Sequence, residues 1–416
     1  MPNNLLTISM ITYEALDVLE NELTFASEVS RDYDDQFAVV GAKIGATVNV
    51  RRPGRFIGAA GPALNIEDLN EGYIPVTLTT QWTVGAQFTE ADLALSMDNF
   101  SKRVIRPMVA SIANKIDRDG LVMATASTAN IVGTVGTKPS SLNTYLQAGA
   151  FLDAEGTPRG DGKRCVVIDP FTQVTIVDAL KGLFVPGETV GEQYRKGLMG
   201  RDSGGMNWKM DQNVVNQTFG AWATVAGAVT VTAGAQGLTT GWAPNSTLSL
   251  TTTQTLTLNA GDVIQLTGIN AVNPQNRQSY GQLRNFVVNT AVTSAAGAFN
   301  VSVTPALISA GQFQNVTASP AAGTVVQFTS LATGTANAQS GAQGILFHRN
   351  AYTLAMADLP IPGGVSFAGR ASDKELGLSI RIVRQYTINN DAEPIRCDVL
   401  YGWAPLYQEN ACRITS

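Results

Sequence analysis

Few residues in this chain are of a type and spacing that could do chemistry. Gly200-Arg201-Asp202-Ser203-Gly204-Gly205 sets a serine among glycines, as acyl-transfer nucleophiles are often set. Such a serine needs an imidazole to take its proton and a buried carboxylate to hold that imidazole. The only histidine is His348, inside Phe347-His348-Arg349 and far along the chain from Ser203. The inventory of a Ser-His-Asp enzyme is therefore incomplete. We read His348 as a packing or helix-start residue and the glycine run as a turn.

Other motifs are equally bare. Arg159-Gly160-Asp161 has the form of an adhesion tripeptide, but it lies within Thr157 to Lys163, a polar turn before a strand. The Asn-x-Ser/Thr triplets at Asn99, Asn216, Asn245 and Asn315 follow from text rich in Asn and Thr. Cys165, Cys397 and Cys412 are widely spaced, which suggests neither a disulfide framework nor a zinc site and fits a reducing compartment. No glycine-rich phosphate loop follows a strand, and no His/Cys/Asp/Glu group has ligand spacing. The expectation is no catalytic, cofactor-binding or metal-binding residue, and no enzyme. A net charge of −5 argues against a surface built to grip nucleic acid tightly. Without a basic N-terminal region before an apolar core, or a run of about 18 apolar residues, neither Sec export nor a membrane span is expected.

The strongest signal is compositional. Between Gln212 and Phe347 only Asp262, Arg277 and Arg284 are charged, whereas the whole chain is 15% charged. Runs such as Ala228 to Thr232 and Leu248 to Leu258 alternate β-branched and polar residues, which distinguishes a folded β unit from a flexible linker. The stretch reads as a compact β domain placed inside a chemically different host.

In the host, residues 9 to 37 carry a helical pattern with Leu16, Leu19 and Leu23, followed by an acidic stretch at Asp32, Asp34 and Asp35. So short a helix cannot bury its apolar side alone, and it reads as an arm. From Ala42 to Phe88 the pattern is a long hairpin, running out through Ala46 to Val50 and back through Pro75 to Val84. A lone two-stranded hairpin is marginal in water and is expected to find its packing on a neighbouring copy. Arg51, Arg52 and Arg55 would then seek carboxylates across that contact; the alternative is a solvated β edge protected by their charge. The stretch from about Asp98 to Ala124 has a helical period, with Phe100, Val104, Met108, Ile112 and Ile116 recurring at fours. Pro107 lies inside it, so a kink or helix junction is expected there, and a candidate hinge. Arg164 to Pro170 reads as a buried strand before a helix, and Leu376 to Tyr386 with Ile395 to Trp403 as a closing strand pair.

The order of these parts resembles the Hong Kong 97 type fold of tailed-phage major capsid proteins. More closely, it is similar to podovirus coat proteins that carry an inserted β-barrel, the I-domain. Four segments carry the likeness: Phe100 to Pro107 with Ala113 to Asp117; Gly191 to Gly197; Leu258 to Ile264 with Ala271 to Pro274; and Asp398 to Trp403. The resemblance implies an α+β chain with an arm over 1–41, an E-loop hairpin over 42–90, and a spine helix with P-domain over 91–135. It further implies an A-domain over 136–215 and 346–375, interrupted by a barrel over 216–345, and P-domain strands over 376–416. It implies a shell protein that closes as pentamers and hexamers around double-stranded DNA, assembled in the host cytoplasm on a scaffolding protein. A portal protein is a further expected partner, and no membrane or cofactor is expected. Two features depart from relatives. The region after Ala235, including Trp242 to Ser246, has no charge with which to bridge capsomers, and Lys43 is the only lysine from 1 to 101. A shell without Lys-to-Asn crosslinks is expected. The alternatives are an encapsulin-like nanocompartment shell and a β-rich tail or decoration protein.

Overall fold

A computed structural model describes residues 12–13, 15–19, 23–32, 45–58, 61–62, 66, 68–89, 104–180, 204–221, 229–234, 236–329, 339–373, 378–388 and 392–416. In chain order the first half carries β1 (Thr47–Arg51), β2 (Tyr73–Thr77), β3 (Thr80–Thr89), α1 (Arg106–Ser127), β4 (Ile131–Gly133), α2 (Leu142–Ala154), β5 (Arg164–Ile168), α3 (Pro170–Leu180), β6 (Asn207–Met210) and β7 (Asn216–Thr218). There follow β8 (Val229–Val231), β9 (Ser246–Leu258), β10 (Val263–Val272), β11 (Ser279–Val288), β12 (Val292–Thr304) and β13 (Val326–Phe328). The chain closes with β14 (Ser340–His348), β15 (Tyr352–Met356), β16 (Phe367–Asp373), β17 (Leu378–Arg384), β18 (Ala392–Pro405) and β19 (Ala411–Thr415).

Two compact units divide the chain. The first comprises Met1–Val50, Pro75–Gly120 and Tyr352–Ala404. Its sheet runs β15-β18-β17-β16, with β3 added on β18. The hairpin expected over Ala42 to Phe88 is shorter than its sequence pattern. β1 pairs with β2, but the strand breaks at Leu78-Thr79 and β3 goes to β18 instead. Beside this break the chain passes close to Gly402, where a Cβ would lie 2.0 Å from the Thr77 carbonyl oxygen. Within this unit Met108, Ile112 and Ile116 form the buried stripe of α1. Asp117, on the same helix, accepts hydrogen bonds from the backbone N–H of Thr24 (2.7 Å) and Ala26 (2.9 Å), which pins the arm to the helix. Ile380, Ile382 and Val399 bury the inner face of the sheet. Asp398 lies at its centre, opposite Arg381 on β17 and Thr83 on β3.

The second unit comprises Arg51–Ile74, Leu121–Ala351 and Pro405–Ser416, and it contains two sheets. One is mixed, ordered β4-β19-β14-β5-β6, with β7 also on β14. Helices α2 and α3 cover it, and Tyr145, Leu152, Ile176, Val166, Leu346 and Ile414 share its core. Both helices begin on side-chain caps. Ser141 Oγ accepts from Asn143 N–H (3.2 Å), and Asp169 Oδ2 from Thr172 N–H (3.1 Å).

The other sheet is the low-charge stretch, ordered β13-β10-β11-β12-β9-β8. Its edges meet: Val231 N–H donates to Thr324 (2.9 Å), Gly323 N–H donates to Val231 (2.8 Å), and Thr230 bridges Val325. The sheet is thereby nearly closed into a barrel, which leaves little free edge. Alternation explains its core. Leu248, Leu250, Leu256 and Leu258 point inward from β9, against Ile264, Phe286, Val301 and Val303. An inserted domain is consistent with this sheet, as is the mixed helix and strand host around it.

Candidate functional site

The three charges of the low-charge stretch are each in use. Asp262 is fully buried at the β9–β10 turn, where Gly261 takes φ +91°. Its carboxylate accepts from Asn259 N–H (2.8 Å) and Gly220 N–H (3.1 Å), so the chain's entry to the barrel is tied to the barrel's own turn. Arg277 donates to the Gln312 carbonyl (3.1 Å) and reaches the Phe56 carbonyl (3.5 Å). Arg284, on β11, pairs with Glu155, the C-cap residue of α2. Burial pushes the Glu155 carboxyl up, with Arg284 pulling the other way, while the same pair holds the Arg284 guanidinium up against its own burial. The Tyr280 hydroxyl joins them and is pushed up to about 12 by burial.

Glu155 and Arg284 line part of a cavity of about 700 Å³ within the second unit. Barrel residues Trp242, Pro305 and Phe313 contribute one wall, and Pro405, Tyr407 and Glu409 another. Trp242 also packs on Tyr73 with ring centroids 6.3 Å apart, over Gly72, where a Cβ would strike its ring at 2.4 Å.

The arginines singled out in the sequence have three different settings. Arg51 is 80% exposed and meets Glu71 at 3.4 Å. Arg52 is bound to Glu409 within the chain and lies over the Tyr407 ring at 4.8 Å. Arg55 stands 3.8 Å from the same Glu409 carboxylate and 5.9 Å from the Phe313 ring. Burial opposes ionisation of Glu409, but Arg52 outweighs it and holds the carboxyl below the usual range. Burial lowers Arg55, and Arg52 and Arg277 add to this.

Pro107 is the second residue of α1, preceded by a wider π-type turn at Val104 and Ile105. Its ring removes one backbone donor where the wider turn passes into the α-helix. The expected helix over Asp98 to Arg103 lies outside the described residues, as do Lys43 and Ser203. His348 is buried. Its Nδ1 accepts from Asn350 N–H (3.3 Å), which places the proton on Nε2 and directs it to Asp161 at 2.8 Å. The histidine and the Arg-Gly-Asp turn thus explain each other as structure. Among the described residues no His/Cys/Asp/Glu group is arranged to hold a metal, and no helix is long and apolar enough to cross a membrane.

Sequence reasoning missed Glu155 and Glu409, whose partners lie 129 and 357 positions away. It had one usable signal. A lone charge in a stretch of Thr, Ala and Val is costly to bury unless paired, so Arg284 and Asp262 pointed to partners.

A family model described as P22 coat protein, gene protein 5, matches residues 1–411. The chain belongs to this coat protein family. As a phage coat protein it has the capsid fold with an inserted I-domain, and it is a major capsid protein that assembles into a shell of subunits and forms the virion capsid. A structural rather than enzymatic role follows from that membership.

Solved structures similar to the coat protein include the capsid of Ralstonia phage GP4 (8% identity, 94% of this chain and 88% of that chain, TM-score 0.45). The mature capsid of bacteriophage PhiM1 matches at 10% identity over 94% and 86%, TM-score 0.45. The CUS-3 coat protein I-domain matches at 18% identity over 25% of this chain and 96% of that one, TM-score 0.19. No curated protein matches the chain.

Proposed function

We propose that this coat protein closes as pentamers and hexamers of an icosahedral head around double-stranded DNA. It does so after growing, in the host cytoplasm, as a procapsid on a scaffolding protein, with a portal protein as a further partner. The observation that carries this reading is the coat family match over residues 1–411. Rings close when one patch of a subunit meets a different patch of the next and the rotation returns to its start. Contacts that are weak one at a time let misplaced subunits leave, and their number holds the finished shell.

The domain map proposed for shell assembly is an arm over 1–41, E-loop 42–90, spine helix and P-domain 91–135, A-domain 136–215 and 346–375, I-domain 216–345 and P-domain strands 376–416. The exposed Phe56, Leu69 and Tyr73 support an outreaching hairpin that needs a partner surface. Arg51, Arg52 and Arg55 are assigned to contacts made by that hairpin, with Arg51 the most open of them. Pro107, beside the turn at Val104 and Ile105, is assigned as the hinge of the spine helix during expansion. The shell is proposed to hold without Lys-to-Asn crosslinks.

Negative-stain microscopy of the chain co-expressed with its scaffolding protein tests the reading. Closed round particles are expected. Amorphous aggregate or dispersed single chains from soluble, folded protein would contradict it.

A further inference from the structure

The β10–β11 turn holds one charged side chain against the hairpin. Asn273 Oδ1 accepts from Gln275 N–H (2.8 Å), and the Asn273 carbonyl accepts from Arg277 N–H (2.9 Å). Arg277 takes φ +56°, a left-handed backbone that costs free energy for most residues with a side chain. Such a conformation persists only where the surrounding structure fixes it, and it is found where position matters. Among the described residues the Arg277 guanidinium makes no ion pair. It donates instead to two backbone carbonyls, Gln312 of the barrel (3.1 Å) and Phe56 of the hairpin (3.5 Å). Gln312 Nε2 donates in turn to the Asp68 carbonyl (2.9 Å), and the Trp242 ring lies on the backbone of Gly72.

These three contacts grip the hairpin by its backbone, at Phe56 on the outgoing leg and at Asp68 and Gly72 on the return leg. The apolar side chains are left outside: Phe56, Ile66, Leu69 and Tyr73 are each more than half exposed. A loop held in one conformation before it binds loses less freedom on binding, so more of the energy of its apolar contacts appears as affinity. We infer that the inserted barrel is the platform that presents the hairpin of its own chain to an apolar surface of a second copy, with Arg277 and Gln312 as positioning residues. The inference rests on the shell reading, which supplies the second copy. It gives the insert a part in assembly that needs no outward-facing charge, in keeping with a stretch whose only charged residues are Asp262, Arg277 and Arg284.

The test uses the full-length chain carrying Arg277→Asn, which suits the left-handed backbone but is too short to reach Phe56. The rate of trypsin cleavage at the Arg55–Phe56 bond reports on the hairpin, and the urea midpoint reports on the fold. Cleavage faster by about tenfold or more at a nearly unchanged midpoint is expected. Particle growth on the scaffolding protein should slow by about fivefold or more. Gln312→Ala should move both rates in the same directions by a smaller factor, and it decides alone if Arg277→Asn does not fold. An unchanged cleavage rate overturns the inference, because the hairpin would then be held without the barrel. Growth at an unchanged rate overturns it too, and so does faster growth, which would mark the contact as a restraint to be released. Failure of the unmodified chain to form particles would remove the shell reading, whereas normal growth with unaffected variants removes this inference alone.

Discussion

Arg284 on β11 and Glu155 at the end of α2 face each other with only 5% and 6% of their side chains exposed. Their ion pair ties the barrel to a helix of the mixed sheet within one unit. It works beside the hydrogen bond that Arg413 on β19 donates to the Gly261 carbonyl of the barrel (2.8 Å).

Removing one partner should cost more than removing both. Arg284→Met leaves a buried carboxylate without its cation, a loss of about 3–5 kcal/mol, whereas Glu155→Leu with Arg284→Met should recover most of it. Urea unfolding of the three proteins measures this. Equal stability of the single and double variants would contradict it.

The two cavity carboxylates should act oppositely on stability against pH. Glu155 is raised by burial, so the folded state holds its proton more tightly than the unfolded chain does. Its contribution is fully present below the ordinary value of 4.5 and is lost as pH rises through the raised one. Glu409 is lowered, chiefly because Arg52 overcomes the cost of burial, so its contribution is present above 4.5 and is lost as pH falls through the lowered value. Glu155→Gln should steepen the loss of stability on acidification and Glu409→Gln should flatten it. Urea midpoints followed from roughly pH 7 down to about pH 2.5, through the range below 4.5 where Glu409 takes up its proton, decide the point, and shifts of the same sign would contradict it.

Asp398 is fully buried and accepts from Thr83 Oγ1 (2.8 Å), Arg396 Nε (2.9 Å) and Arg381 Nε (3.1 Å). Burial pushes its carboxyl up, but the hydrogen bonds from Arg396 and Arg381 win and hold it below the usual range. Asp398→Asn should cost about 3 kcal/mol, because two guanidinium groups lose their counter-charge while one of them, Arg396, is half open to water. Hydrogen exchange should accelerate along β3 and β18 first. Protection unchanged there would rule out Asp398 as the clasp between those strands.

Gly402 has no room for a side chain under Thr77, since the atom it would meet is backbone. Gly402→Ala should cost about 1–3 kcal/mol and loosen the β2–β3 junction. Thermal unfolding together with proteolysis near Leu78 checks this. An unaltered melting temperature would show that the strands slide apart freely.

Much of this was legible in the sequence for physical reasons. Charge depletion from Gln212 to Phe347 and the alternation of β9 marked the barrel, since a strand with one dry face must alternate. Met108, Ile112 and Ile116 marked the buried stripe of α1. What stayed hidden was long-range. Nothing near Arg52 announces Glu409, and nothing near His348 announces Asp161, because such pairs are made by the fold and not by spacing. The break at Leu78-Thr79 was hidden too, because the partner that β3 takes, β18, lies far along the chain.

Sedimentation velocity of the purified chain with and without its scaffolding protein tests the central claim most directly. The account predicts that adding the scaffolding protein converts slow single-chain material into one fast boundary containing many copies. A folded chain that remains slow across salt and pH, with the scaffolding protein present, would contradict it.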